Sequence, residues 1–320
     1  MKSICSAIFS VLICLNSTPS HSQTYPDKPV RFIVPYAPGG PTDIIARLLG
    51  QKLSESWKQT VIIENRPGVS GNLGTAQVAK SAADGYTVLV NTSSVAVNTS
   101  LYVNPGYNLE KDLLGVANVA SSPNVIVAGS SLGAKNLREA IDKAKTGSLN
   151  YASPGGGTTP NLSAEYLFKV LAKVDVMHVP YKGAGPALNA ALTGEVQFAS
   201  VAMPAAVPLI KSGRLQGLAV TSAKRSLALP DVATVSESGF AGFEDYTWVG
   251  VFVPAATPIA IATRINADIE AVLGQADFRA RLDNVGFEPS GGSMENFARY
   301  IKLESIKWAK VAKETGTKPE

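Results

Sequence analysis

Two glycine-rich segments concentrate the groups in this chain best suited to holding a ligand. The first is Val34-Pro35-Tyr36-Ala37-Pro38-Gly39-Gly40-Pro41-Thr42-Asp43, and the second is Tyr151-Ala152-Ser153-Pro154-Gly155-Gly156-Gly157-Thr158-Thr159-Pro160. Each stands where an apolar β-type run gives way to a helical pattern, the place where open α/β sheets bind ligands. Glycine lacks a Cβ, so the backbone can turn tightly and approach a bound group. The helix that follows offers unpaired N–H groups and a positive dipole end, which attract an anion. Thr42 or Asp43 can cap the first helix, and Thr159 the second, with Pro160 at its favoured first position. One such loop reads equally well as a plain turn. Two of the same design describe a pincer on one anionic group.

Neither loop fits nucleotide chemistry. The second lacks the Gly-Lys-Ser/Thr of a phosphate-hydrolysing loop, and the first lacks the third glycine of a dinucleotide fingerprint. A carboxylate needs no arginine here. A helix N-terminus contributes about 0.3 to 2 kcal/mol and each charge-assisted hydrogen bond roughly 1.5 to 3 kcal/mol. Three or four donors reach the roughly 8 kcal/mol of a micromolar complex after ordering costs. The ligand-binding set is therefore Tyr36, Ala37, Pro38, Gly39, Gly40, Thr42 and Asp43 from the first loop, with Ser153, Gly155, Gly157, Thr158 and Thr159 from the second. Thr92 and Ser93 after one strand, and Ser200 before Met203-Pro204, are further contacts for the rest of the ligand, although turn and capping roles suit such residues equally. His178, inside an apolar strand, reads as a hydrogen-bonded structural residue. Tyr181-Lys182-Gly183-Ala184-Gly185 is either a ligand contact or a helix-entry turn.

The elements that position these loops alternate. Val30 to Val34, Val61 to Ile63, Tyr86 to Val90, Val125 to Val127, Val174 to Val179, Val196 to Ser200, Leu218 to Thr221 and Val249 to Val253 read as strands. Helical periodicity falls between them, as in Leu137 to Lys145, Asn161 to Ala172 and Pro186 to Leu192, and again in Pro258 to Leu273 and Met294 to Lys313. The pattern predicts an α/β fold with mainly parallel sheets. No flexible linker interrupts it, so two lobes would be joined by short crossovers near Ala120 to Asn124 and Gly242 to Trp248. Residues 23–120 and 246–320 then form a discontinuous first lobe, and residues 121–245 the second.

Lys2, the apolar run Ile4 to Leu15, and small residues Ser20 and Ser22 read as a signal peptide over residues 1–22, cleaved near Ser22/Gln23. Twelve apolar residues fall short of the roughly 20 that span a bilayer. Export would remove Cys5, Cys14 and His21 and leave His178 as the one histidine. Disulfides, Cys-rich zinc sites and paired-histidine metal sites are then excluded, no cofactor is expected, and a Ser-His-Asp or Cys-His hydrolase would have to work through His178. The formal charge of +4 is spread thinly, without the basic clusters that mark a nucleic-acid partner.

With these loops on view, the chain strongly resembles the extracytoplasmic receptors of the tripartite tricarboxylate transporter family, the Bug proteins. The marks are Tyr25 to Pro29, Val34 to Asp43, Glu64-Asn65-Arg66-Pro67-Gly68, Ala83-Asp84-Gly85-Tyr86-Thr87, Tyr151 to Thr159 and His178 to Gly183, then Leu218 to Lys224, Leu229 to Val232 with Thr234-Val235, and Trp308-Ala309-Lys310. The resemblance implies a two-lobed fold of the type II periplasmic binding proteins and a periplasmic, non-enzymatic monomer. It also implies a small carboxylate, such as a di- or tricarboxylate, an aromatic acid or an acidic amino acid, passed to membrane transporter subunits. A receptor that docks on a membrane sensor kinase is the other reading of the same capture. Tyr36 stands where the family commonly has phenylalanine, Asn161 where it often has histidine, and Ala199-Ser200-Val201 where many members carry polar residues.

Overall fold

The computed structural model describes residues 25–318, and the segment read as an export signal, with its cleavage point, lies outside them. The chain starts with β1 (Val30–Val34), α1 (Pro41–Trp57), β2 (Val61–Asn65), α2 (Asn72–Ala79), β3 (Thr87–Thr92), α3 (Ser94–Leu101) and a short α4 (Leu109–Asp112). A long strand β4 (Leu113–Ala128) leads to α5 (Leu137–Thr146), β5 (Leu149–Ser153), α6 (Thr159–Glu165), β6 (Val176–Pro180), α7 (Ala184–Thr193), β7 (Phe198–Ala202), α8 (Met203–Lys211) and β8 (Gln216–Val220). The return is β9 (Tyr246–Pro254), followed by α9 (Ile259–Leu273), α10 (Ala276–Val285), β10 (Glu288–Pro289) and α11 (Met294–Thr315).

The strands lie in the order β2-β1-β3-β9-β4-β7-β5-β6, with β8 and β10 also paired to β4. Two parallel βαβ units stand at the ends, β2-β1-β3 and β6-β5-β7. The strands between them run antiparallel, because β4 carries the chain from one lobe to the other and β9 carries it back. From Leu113 to Pro123, β4 pairs with β9; from Asn124 to Ala128 it pairs with β7. Each lobe's sheet is thus mixed where parallel strands dominated the sequence pattern. The first half of β4 escaped that pattern because Gly115, Asn118 and Ser121-Ser122-Pro123 interrupt its apolar residues.

Separate cores fill the lobes. Phe32, Ile45, Leu49, Val251 and Ile265 are among the buried residues of one, and Val127, Leu188 and Val201 among those of the other. Ile45, Leu49, Leu53 and Trp57 fall on one face of α1, and fully burying an aliphatic side chain of this kind contributes roughly 1.5 to 3 kcal/mol. Helix α11 ties the lobes together from behind. Its Trp308 and Ala312 pack on Val97 of α3 and Leu162 of α6, and buried Glu304 accepts hydrogen bonds from the indoles of Trp248, at 3.2 Å, and Trp308, at 2.9 Å.

Candidate functional site

The carboxyl ends of β1, β3, β5, β6 and β7 converge between the lobes on a narrow cleft with about 20 Å³ of free space, room for roughly one water molecule. One lobe supplies Tyr36, Gly40, Pro41, Thr92 and Ser94; the other supplies Pro154, Thr158, Pro160, Ala184 and Ala202, and Thr247 of β9 closes the back. Every lining residue is uncharged. Helices α1 and α6 enter this cleft by their N-termini, from opposite lobes. Proline follows each N-cap closely, at the position where its missing N–H costs nothing, and α6 continues through a π-turn over Tyr166–Leu171.

The first loop opens onto the cleft. Gly40, rather than Thr42 or Asp43, is the N-cap of α1. Asp43 turns back to accept the Gly39 N–H at 3.0 Å, and it also binds Arg47, at 2.9 and 3.0 Å, and the Asn65 amide, at 3.1 Å. Burial pushes its carboxyl up, but Arg47, the Gly39 N–H and Asn65 together outweigh burial and hold it below the usual carboxylate range. Asp43 is thereby spent on shaping the loop. Thr42 differs: its hydroxyl is fully buried beside the cleft-lining Gly40 and Pro41, with no hydrogen-bond partner. Ala37 and Pro38 face the other lobe. The Ala37 N–H donates to the Lys182 carbonyl at 2.9 Å, and the Pro38 carbonyl packs so closely on Gly185 that a Cβ there would stand 2.7 Å from it. Tyr181 to Gly185 join both readings: the segment turns into α7 with Gly183 and Gly185 against Ala37 and Pro38 of the other lobe, and its Ala184 lines the cleft.

The second loop is packed and internally bonded. Thr158, one residue before the expected Thr159, stands at the N-cap position, but its hydroxyl caps no helix N–H and donates to the Gly155 carbonyl at 2.8 Å. Ser153 lies 2.7 Å from His178 Nε2. Burial, helped by the charge of Lys169, pushes the imidazole down to about 4, so it stays neutral and structural. Gly155 presses on Ser70, and Gly157 on Leu101. Asn161 accepts the Gly157 N–H at 2.9 Å and donates to the Tyr151 hydroxyl at 2.7 Å, so this departure from the family pattern braces the loop and does not line the cleft. Ser200 likewise donates to the Pro160 carbonyl at 2.7 Å. The hydroxyls of Ser93 and Thr159 bond each other at 3.0 Å.

Tyr36, Gly40, Thr92 and Thr158 are thus the expected residues that line the cleft, and the others hold its walls. Sequence reasoning passed over Ala202 and Thr247, and it left Ala184 open between ligand contact and turn. Ala184 follows a glycine at a strand-to-helix junction, as the two loops do, and that signal was available; Thr247 lies in a crossover strand with no signal of its own. Among the described residues no three His, Cys, Asp or Glu side chains gather as a metal cage, and no helix is long and apolar enough to cross a membrane.

An uncharged cleft between two lobes, faced by two helix N-termini, is the arrangement of a solute-binding protein. The sequence profile of the tripartite tricarboxylate transporter family receptor matches residues 45–317, and the chain belongs to that family, one of substrate-binding receptors and not of enzymes. BugT of Bordetella pertussis is 36% identical over 306 residues, covering 94% of each chain. Among solved structures, Rpa4515 of R. palustris with adipate is 36% identical, with a TM-score of 0.89 over 92% of this chain and 100% of that one. The periplasmic binding protein BugD is 32% identical, with a TM-score of 0.88 over the same shares.

Proposed function

We propose that this receptor captures a small carboxylate in the periplasm and delivers it to the membrane subunits of a tripartite transporter. The observation that carries the reading is the pair of helix N-termini, from α1 and α6, aimed from separate lobes into one cleft without a charged side chain. First-turn N–H groups have no intrahelical partner, and the Thr42 hydroxyl beside them is unpartnered too. One carboxylate satisfies both sets of donors only when the lobes are together, so ligand binding and closure are one event. The lobes move as residues 23–120 with 246–320 against residues 121–245, with β4 and β9 as the crossovers. The signal peptide is cleaved near Ser22/Gln23 on export, and the receptor works as a monomer. Because a relative sharing 36% of its sequence was solved with adipate, dicarboxylates are the first class to test.

A thermal-shift screen of di- and tricarboxylates, aromatic acids and acidic amino acids tests this directly. A ligand at 100 times its Kd stabilises the native state by about 2.7 kcal/mol, a rise of several degrees. A flat response across all carboxylates, at concentrations up to 10 mM or so, would refute the reading.

A further inference from the structure

Behind the cleft, three buried hydroxyls from three parts of the fold form an unbroken chain. Ser93, at the N-cap of α3 in the first lobe, lies 3.0 Å from Thr159, the first residue of α6 in the second lobe. Thr159 lies 2.6 Å from Thr247 of β9, and Thr247 donates to Asn124 Oδ1 at 2.7 Å. Asn124 is the first residue of β4 to pair with the second lobe's β7. Its amide donates to Asp245 Oδ1 at 2.6 Å, and the Thr221 hydroxyl steadies this end by donating to the Asp245 carbonyl at 2.8 Å.

Each hydroxyl has one proton, so the directions along the chain follow. The Asn124 amide faces the Asp245 carboxyl, which leaves its oxygen for Thr247. Thr247 therefore spends its proton on Asn124, Thr159 spends its own on Thr247, and Ser93 spends its own on Thr159. None of the three protons is left for a carboxylate. Ser93 and Thr159 belong to different lobes, so the bond between them exists only while the lobes are together. Breaking it leaves the Ser93 proton without its acceptor, while Thr159 keeps its bond to Thr247.

We infer that Thr159 is a positioning residue for ligand capture, fastening the N-terminus of α6 to Ser93 of the opposite lobe and to the crossover strands when the cleft closes. The inference rests on the carboxylate reading above, and it gives Thr159 and Ser93 a role other than ligand contact. A latch that forms on closure slows ligand escape and leaves encounter with the open form unchanged.

The test uses the full receptor with adipate, or with whichever acid from the screen binds best. Thr159→Val keeps the shape and removes the hydroxyl; Thr159→Ser restores it; Ser93→Ala breaks the same bond from the other lobe, should the valine variant fold poorly. Thr159→Val and Ser93→Ala are each expected to raise Kd about tenfold, with the change in the dissociation rate and the association rate unaltered. The serine variant should return to within about twofold of the parent, and the double variant should be little worse than either single one. Variants that lose thermal stability while Kd and the dissociation rate stay at parental values would overturn the latch and leave the carboxylate reading intact. Failure of the parent protein to bind any acid would overturn the carboxylate reading, and the latch with it.

Discussion

The two glycine loops look alike in sequence and do different work in the fold. At Gly39, in the first loop, an added Cβ would meet nothing within 4 Å, and at Gly40 it would meet only ordinary contacts with Ala184. In the second loop, a Cβ on Gly157 would stand 2.2 Å from Leu101, and one on Gly155 would stand 2.6 Å from the Ser70 hydroxyl. The first loop leaves its glycines free of packing, Gly39 exposed and Gly40 bordering the cleft. The second gives its space to the opposite lobe, so its glycines serve closure and backbone shape. Similar composition at equivalent strand ends therefore does not imply an equivalent role; what presses on each loop decides.

The contrast can be broken most easily at Gly157. Its φ of +80° disfavours any side chain, and Leu101 blocks the space as well, so Gly157→Val should cost about 3 kcal/mol or more, read in a denaturant melt. A melt unchanged within error would mean that the second loop is as open as the first. Gly40→Val should do the opposite. With extended backbone at this N-cap, stability should fall by no more than about 1 kcal/mol, while added bulk in the cleft weakens carboxylate binding by at least about tenfold, measured by calorimetry.

The pH dependence sharpens the comparison further. His178, which backs the second loop, is held at about 4, below its ordinary 6.5. The stability tied to its neutral form is complete above pH 6.5 and is lost as pH falls toward 4. Asp245 works in the opposite sense. Burial pushes it up to about 6, against the pull of Ser163, Lys307, Asn124 and Thr221, so the stability tied to its protonated form is present below about pH 3.8 and is lost as pH rises through 6. The two slopes oppose each other between pH 4 and 6. Asp245→Asn should make stability rise more steeply with pH over that range, and His178→Asn should make it fall; identical slopes in the two variants would remove both assignments. The smallest effect is expected at Gly39→Ala, where φ is +87° and the space is open. Strain of about 1 kcal/mol with ligand affinity unchanged is the anticipated result, and a large loss of affinity would place a ligand against Gly39 itself.

Much of the architecture was legible because periodicity survives in a single chain. The strand at Val30–Val34, the inner face of α1 and the long helices α9 and α11 declare themselves through apolar spacing. The crossover strand was half hidden: Gly115, Asn118 and Ser121 to Pro123 take their β conformation from pairing with β9, a partner more than 120 residues away. At the site, residue type located both loops but not the duties of their side chains. Asp43, Ser153 and Ser200 were read as ligand contacts, and each is bonded to a structural partner: Asp43 to Arg47 one helical turn on, a pairing its spacing allowed, and Ser153 and Ser200 to His178 and Pro160, which no local pattern announces.

By itself the sequence determined the α/β class, the two glycine loops at strand ends and the family, since these rest on local periodicity, backbone freedom and contiguous motifs. Tertiary structure alone decided which hydroxyls are free and which are spent. Thr42 and Thr159 are both threonines in the first turn of a helix. One is buried without a partner, and the other is bonded to both the opposite lobe and a crossover strand. A hydroxyl has a single proton, and what it donates to depends on neighbours that only folding brings within 3 Å or so.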